Sequence, residues 1–198
     1  MAMLLAAAHP NVELIGITTV SGNGSLDKVT YNAQRICALA GIDVPVARGA
    51  NDPLAGKSSA APSIHGASAL DGAELPEPHR ELSPLPAVEL IAQLVSESPQ
   101  QVTLVPTGPM TNIAMFIQQY PELLSKIDHL SFMGGSIERG NWTPYAEFNI
   151  WADPEAADVV LRSGLNITMT GLNVSHTALA TEQIMAVSYT HLRAHETR

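Results

Sequence analysis

The chain has 198 residues, 45% hydrophobic, with ten basic against nineteen acidic side chains and a formal net charge of −9. That length fits one globular domain around a single core, and the charge, with no Lys/Arg cluster, argues against a nucleic-acid polymer as partner. The one cysteine, Cys37, has no internal disulfide partner, which fits burial in a reducing, cytoplasmic compartment.

The opening MAMLLAAAHP is apolar and small like a secretory leader but lacks a basic start, and it reads as the end of a helix. No apolar run approaches the ~18 residues of a membrane span, so no membrane partner is expected. VELIGITTV (12–20) is a nearly continuous β-branched and apolar run, as in a parallel strand buried on both faces. From Ser25 the period changes: Val29, Ala33, Ile36, Cys37 and Ala40 recur at helical spacing, and Gly41 is a natural stop. VPVARG (44–49) is a shorter strand candidate, and residues 50–85, rich in Ala, Ser, Gly and Pro, read as a long loop whose one distinctive element is SIHG. Then come a helix at 86–98, a strand at 101–106, a turn leading into a helix within 107–120, and strands at 129–135 and 165–172. This order predicts an α/β fold with an open, mostly parallel, doubly wound, Rossmann-like sheet.

Ligands in such sheets bind at the carboxyl ends of the strands. Those ends read Ser-Gly-Asn, Pro-Thr-Gly-Pro, Met-Gly-Gly and Gly-Leu-Asn. Each is ordinary turn chemistry taken alone; their common location is what suggests a site. SGNGS is not a phosphate loop, since it lacks the Walker lysine and the third glycine of the dinucleotide fingerprint.

PYAEFNIWADPEAADVV (144–160) changes character midway. As extended chain it would put Glu147, Asn149 and Trp151 on one face, a carboxylate and an amide aimed together at a ligand with several hydroxyls, such as a sugar. By residue type alone, Glu147 is equally compatible with a solvated surface. Asp153, followed by Pro154 and Glu155, reads as a helix cap rather than a catalyst.

TTVSGN, IHG, LVPTGPMTNIA, MGG, GNWTPYAEFNIWADPEAADVV and GLNVSH, in this order and at these separations, resemble the inosine-uridine-preferring nucleoside hydrolases over most of residues 1–186. The resemblance implies hydrolysis of the N-glycosidic bond of small-molecule ribonucleosides to free base and ribose. Water would be activated by an Asp general base and a bound Ca²⁺, against an oxocarbenium-like transition state. It matches Asn141, Glu147 and Asn149 to ribose-binding positions, the first two near the 5′-hydroxyl. Asn23, His65 and Met133 match pocket positions, and Thr107 matches a residue whose backbone carbonyl binds Ca²⁺. Family members are commonly dimers or tetramers, so a homo-oligomer is expected.

The departures from the pattern carry expectations too. Members begin with a strand and an Asp-x-Asp-Pro-Gly-x-Asp-Asp motif ahead of the segment matching AMLLAAAHP. On that comparison residues 1–186 are a partial domain lacking the first strand and the C-terminal part, without the general base and most Ca²⁺ carboxylates. A later His-Asp pair of the family is unmatched as well. Residues 187–198, VSYTHLRAHETR, fit no family pattern and resemble a translated sequencing-library adapter, so they are read as a non-native tail, and His191 and His195 are not read as metal ligands. Two functional classes follow: a nucleoside hydrolase, inactive as this piece, or a non-catalytic nucleoside-binding or structural remnant. Base preference is not legible.

Overall fold

The computed structural model describes residues 2–57, 66, 68–72, 74–179, 181–184 and 186; His65 and the segment 187–198 lie outside the described residues. In chain order the elements are α1 (Ala2–Ala8), β1 (Ile17–Thr18), α2 (Leu26–Ala40), β2 (Val46–Ala47), α3 (Ala87–Glu97), β3 (Val102–Leu104) and α4 (Thr111–Gln119). A 3-10 turn (Pro121–Lys126), β4 (Ile127–Met133), α5 (Phe148–Ala152), α6 (Pro154–Leu161), β5 (Ile167–Thr170) and α7 (Leu172–Ser175) follow.

Among the described residues all strand pairings are parallel, as the alternation of strands and helices predicts. They form two ladders rather than one continuous sheet: β1–β2, and β3–β4–β5 with β4 in the middle. The strand expected over 12–20 pairs as a ladder only at Ile17 and Thr18, with isolated bonds from Thr19 N to Ala47 O and from Ser21 N to Ala50 O extending it. The ladders are joined by helix and side chain instead of by main-chain bonds. Helix α3 packs on β1, where a Cβ on Gly16 would stand 2.4 Å from Leu94 Cδ1. The amide of Asn112, 5% exposed on α4, donates to Thr19 O (2.9 Å) and accepts from Ala50 N (2.9 Å).

The main core collects Val95 of α3, Phe116 of α4, Leu130 and Phe132 of β4 and Val160 of α6, all 2% exposed or less. Burial of each such side chain contributes about 1.5–3 kcal/mol. A separate small cluster, Ala33 and Cys37 with Ile42 and Val46, seats α2 on the β2 region. Helix α2 stops where expected, at Gly41, whose φ of 62° is the left-handed conformation that favours glycine.

The described part of 50–85 contains neither helix nor strand, in keeping with a long loop. Its second half is a strap tied to α2. Asn32 Nδ2 donates to Ser68 O (2.9 Å), Arg35 donates to Leu75 O (2.5 Å) and Pro76 O (3.2 Å), Gln34 Nε2 to Arg80 O (2.9 Å), and Tyr31 OH to Glu77 (2.7 Å).

Candidate active site

The carboxyl ends of the three-stranded ladder are locked together by main-chain bonds: Met133 N to Pro106 O (3.0 Å), Gly134 N to Thr170 O (3.2 Å) and Leu172 N to Gly135 O (3.0 Å). Gly135 makes this possible. Its φ is 74°, and a Cβ there would meet Met169 Sδ at 2.9 Å.

Glu147 and Asn149 come together at these ends, but not as alternating residues of a strand. Phe148–Ala152 is helical, and Glu147 is its N-cap. One carboxylate oxygen, Oε2, accepts from Asn149 N (2.9 Å), Ile150 N (3.3 Å) and, beyond the end of β4, Gly135 N (3.0 Å). The expectation of extended chain here is therefore corrected. Phe148 and Trp151 are three residues apart, a helical neighbour spacing, and both pack against Trp142, at ring-centroid distances of 5.1 and 5.2 Å. An extended segment would send them to opposite faces. Burying one aromatic cluster, together with a carboxylate cap for the first N–H groups, outweighs the local alternation.

The Asn149 side chain, 8% exposed, reaches back to the strand ends: Nδ2 donates to Met133 O (2.9 Å), with Thr107 O and Met133 Sδ each at 3.4 Å. Its Oδ1 is not used in these bonds. Asn141 lies on the loop before α5. Its Oδ1 accepts from Phe148 N (2.9 Å), leaving Nδ2 as an exposed donor. The loop is closed by the carbonyl of Ala146, which accepts from the N–H groups of Asn141, Trp142 and Thr143 at 3.1–3.4 Å. The structure thus joins Thr107, Met133, Asn141, Glu147 and Asn149 through one hydrogen-bonded network. Asn23 is exposed on the β1 loop, outside that network but close to it: a Cβ on the preceding Gly22 would stand 3.0 Å from Pro109 Cδ and 3.9 Å from Phe148 Cε1.

Asp153 is the helix cap the sequence predicts, accepting from Ala156 N at 3.0 Å. It does more than cap. Buried to 1% exposure, it also accepts from Thr111 Oγ1 (2.6 Å) and Leu54 N (3.0 Å), holding the segment after β2 to the start of α4 and α6. Asn112 ties the other end of that segment, and the sequence carries no signal for this role beyond a polar residue on a helix whose neighbours are apolar.

For a cation, the donor chemistry is incomplete. Ca²⁺ takes about six to eight oxygen ligands. Among the described residues no group of three or more His, Cys, Asp or Glu could hold a metal, and the Thr107 carbonyl already faces Asn149 Nδ2. These residues alone do not fit a divalent-cation site. No helix among the described residues is long and apolar enough to cross a membrane.

The sequence profile described as inosine-uridine preferring nucleoside hydrolase matches residues 1–197. The chain is 51% identical over 179 residues to the pyrimidine-specific ribonucleoside hydrolase RihA of Photobacterium profundum, covering 90% of this chain and 58% of that protein. It is 49% identical over 195 residues to the protein of that name from Shewanella baltica, covering 98% and 60%. Among solved structures, the purine-preferring ribonucleoside hydrolase from Gardnerella vaginalis superposes with a TM-score of 0.81 at 36% identity, over 86% of this chain and 56% of that one. A plant nucleoside hydrolase, the PpNRh1 enzyme, also gives 0.81, at 32% identity and over 88% and 56%. The chain therefore spans 58–60% of the length of these two curated relatives. With the parallel α/β fold, the hydrogen-bonded network at the strand ends and a profile match over nearly its whole length, the chain belongs to the inosine-uridine preferring nucleoside hydrolase family.

Proposed function

We propose that this chain carries the ribose-binding half of a nucleoside hydrolase that cleaves the N-glycosidic bond of ribonucleosides, with pyrimidine ribonucleosides as substrates. The observation that carries the reading is the shared network of Glu147, Asn149 and Asn141 at the ends of β3 and β4. Each keeps one polar atom outside that network. Glu147 has spent Oε2 on backbone N–H groups, which leaves Oε1 as acceptor for the 5′-hydroxyl. Asn141 offers Nδ2 to the same hydroxyl, and Asn149 offers Oδ1 to a ring hydroxyl. Hydrogen bonds that tighten as positive charge develops on the sugar ring lower the barrier. Met133 and Asn23 would line the pocket, and His65 is assigned to it by resemblance alone. The pyrimidine assignment rests on the names of the relatives at 46–51% identity.

Metal dependence is general among nucleoside hydrolases of this family. Calcium is the ion we assign, and the described donor set offers it one carbonyl, that of Thr107. No described carboxylate is assigned as general base, because both buried ones, Glu147 and Asp153, already accept main-chain bonds. Residues 1–198 are therefore expected to bind nucleoside without turning it over, and water activation is assigned to parts of a longer protein of the relatives' size. That protein is further proposed to be cytoplasmic and homo-oligomeric.

Titration of the purified chain with uridine, 5′-deoxyuridine and inosine tests the reading. Uridine is expected to bind best, and Glu147→Ala to cost about 1.5–3 kcal/mol of affinity, the range for hydrogen bonds to charged groups, for uridine but not for 5′-deoxyuridine. Equal losses on the two ligands would remove Glu147 from the 5′-hydroxyl. Uracil release by the chain alone, above a buffer control, would overturn the assignment of water activation elsewhere.

A further inference from the structure

A cavity lies away from the strand ends just described. It opens beneath the strap, between α2 and the residues leading into β2, and has a volume of about 270 Å³. Residues 42–45 line it ahead of β2, whereas the network of Glu147 and Asn149 is built on residues that follow the strands. The floor is apolar: Cys37 and Ile42, 7% and 8% exposed, with the half-buried Val44 and Leu82. The rim is polar, with His79 and Ser83 beside Gln34, Asp43, Arg80 and Glu81. Gln34 has committed its Nε2 to Arg80 O, leaving Oε1. Arg80 is paired with Asp43, so its charge is matched, and the exposed Glu81 is the unmatched charge at the mouth.

We propose that this cavity binds a small primary amine: a compact apolar body, no larger than a single ring, on the floor, and an ammonium head at Glu81 and Gln34 Oε1. Three observations point to that class. The volume falls just below the ~300–1,000 Å³ of typical ligand pockets, which limits the body to one ring. The floor presents no charged group. The rim carries a formal charge of −1, with Asp43 and Glu81 against Arg80 and the exposed His79 neutral, and the chain's net charge of −9 likewise disfavours an anion over a cation. The site is independent of the nucleoside reading and stands whether or not that reading holds.

Cys37 supplies a reporter, as the one thiol of the chain, set in the cavity floor. Burial pushes it up, so alkylation by iodoacetamide is slow and is read at alkaline pH. The test uses the whole chain and two probes of one shape and opposite head charge, 2-phenylethylamine and phenylacetate, followed by calorimetry and by the rate of Cys37 alkylation. Saturable binding of the amine in preference to the carboxylate, with slowed alkylation, is the expected result. Ala38→Trp, which fills the cavity from α2, should abolish binding. Glu81→Lys, at an exposed position that leaves the core untouched, should weaken the amine at least two- to five-fold, the equivalent of an exposed ion pair of up to about 1 kcal/mol, and strengthen the carboxylate. The proposal is overturned if neither probe saturates, if the two bind equally, if the amine leaves the alkylation rate unchanged, or if Glu81→Lys leaves the preference as it was.

Discussion

Glu147 accepts three main-chain N–H groups on one oxygen, so its replacement has a structural cost separate from any loss of ligand. Glu147→Ala strands the N–H groups of Gly135, Asn149 and Ile150 at a buried position and should destabilise the fold by about 1–3 kcal/mol. At this chain length that lowers the melting temperature by roughly 2–4 °C for each kcal/mol. Glu147→Gln keeps one carbonyl oxygen for the same donors and should lose less; a Gln variant melting with the Ala variant would deny the cap its importance. The pairing of Glu147 with Asn149 was legible in the sequence, but its geometry was not. Ala146-Glu147-Phe148-Asn149 alternates as a strand does, glutamate is not among the favoured N-cap residues, and the clustering of Phe148 and Trp151 on Trp142 is a tertiary fact. Cys37 gives a pH signature. Burial pushes its thiol up, so the folded chain keeps the proton where the unfolded chain has released it. That contribution is complete below the unfolded value of about 8.5 and is lost as pH rises through the folded one. Thermal melts should show stability falling above about pH 8.5, with a shallower fall in Cys37→Ala; identical slopes would contradict it.

At the scale of elements, helices matched their expected bounds to within a residue or two wherever caps were written in the sequence: Gly41 closing α2, and Asp153-Pro154 opening α6. Four of the five described strands came out shorter than their apolar runs, because a run records burial whereas a ladder also needs a neighbour; β4, paired on both sides, kept the expected length and begins two residues earlier. VELIGITTV is the clear case, pairing along one side and only near its end. What replaces main-chain pairing between the two ladders is partly one amide, Asn112. Asn112→Leu leaves Thr19 O and Ala50 N without their partners, at about 1–3 kcal/mol for each group. Asn112→Asp keeps an acceptor for Ala50 N and should recover part of the loss. Chemical denaturation of the two variants decides it, and an Asn112→Leu chain as stable as the wild type would show that α3 and the Asp153 bonds hold the ladders together without it.

For the molecule as a whole, the two larger clusters of buried side chains should differ in stability. The larger one joins α3, α4, α6 and the three-stranded ladder, with β4 paired on both sides, whereas the smaller joins α2 to a two-residue strand. Local opening follows contact density. In hydrogen exchange, amides of β4 such as Leu130 should be the last to exchange and those of α2 and β2 markedly earlier; a single common opening free energy would mean that α3 couples the halves fully. The parallel α/β class was readable from the order of elements. The division into two ladders was not, since it depends on which strand edges meet, and periodicity within one strand is silent about its neighbours.

What α2 grips in the strap is mostly backbone. Except for Tyr31 with Glu77, every bond that α2 sends to it ends on a main-chain carbonyl, of Ser68, Leu75, Pro76 or Arg80. A carbonyl is the same acceptor whichever residue carries it. Mutational tolerance should therefore be lopsided across this contact: exposed strap positions such as Glu74 and His79 can be respelled freely while the grip persists, whereas Asn32, Gln34 and Arg35 cannot. The helix keeps the memory of the contact, and the loop it holds is free to drift.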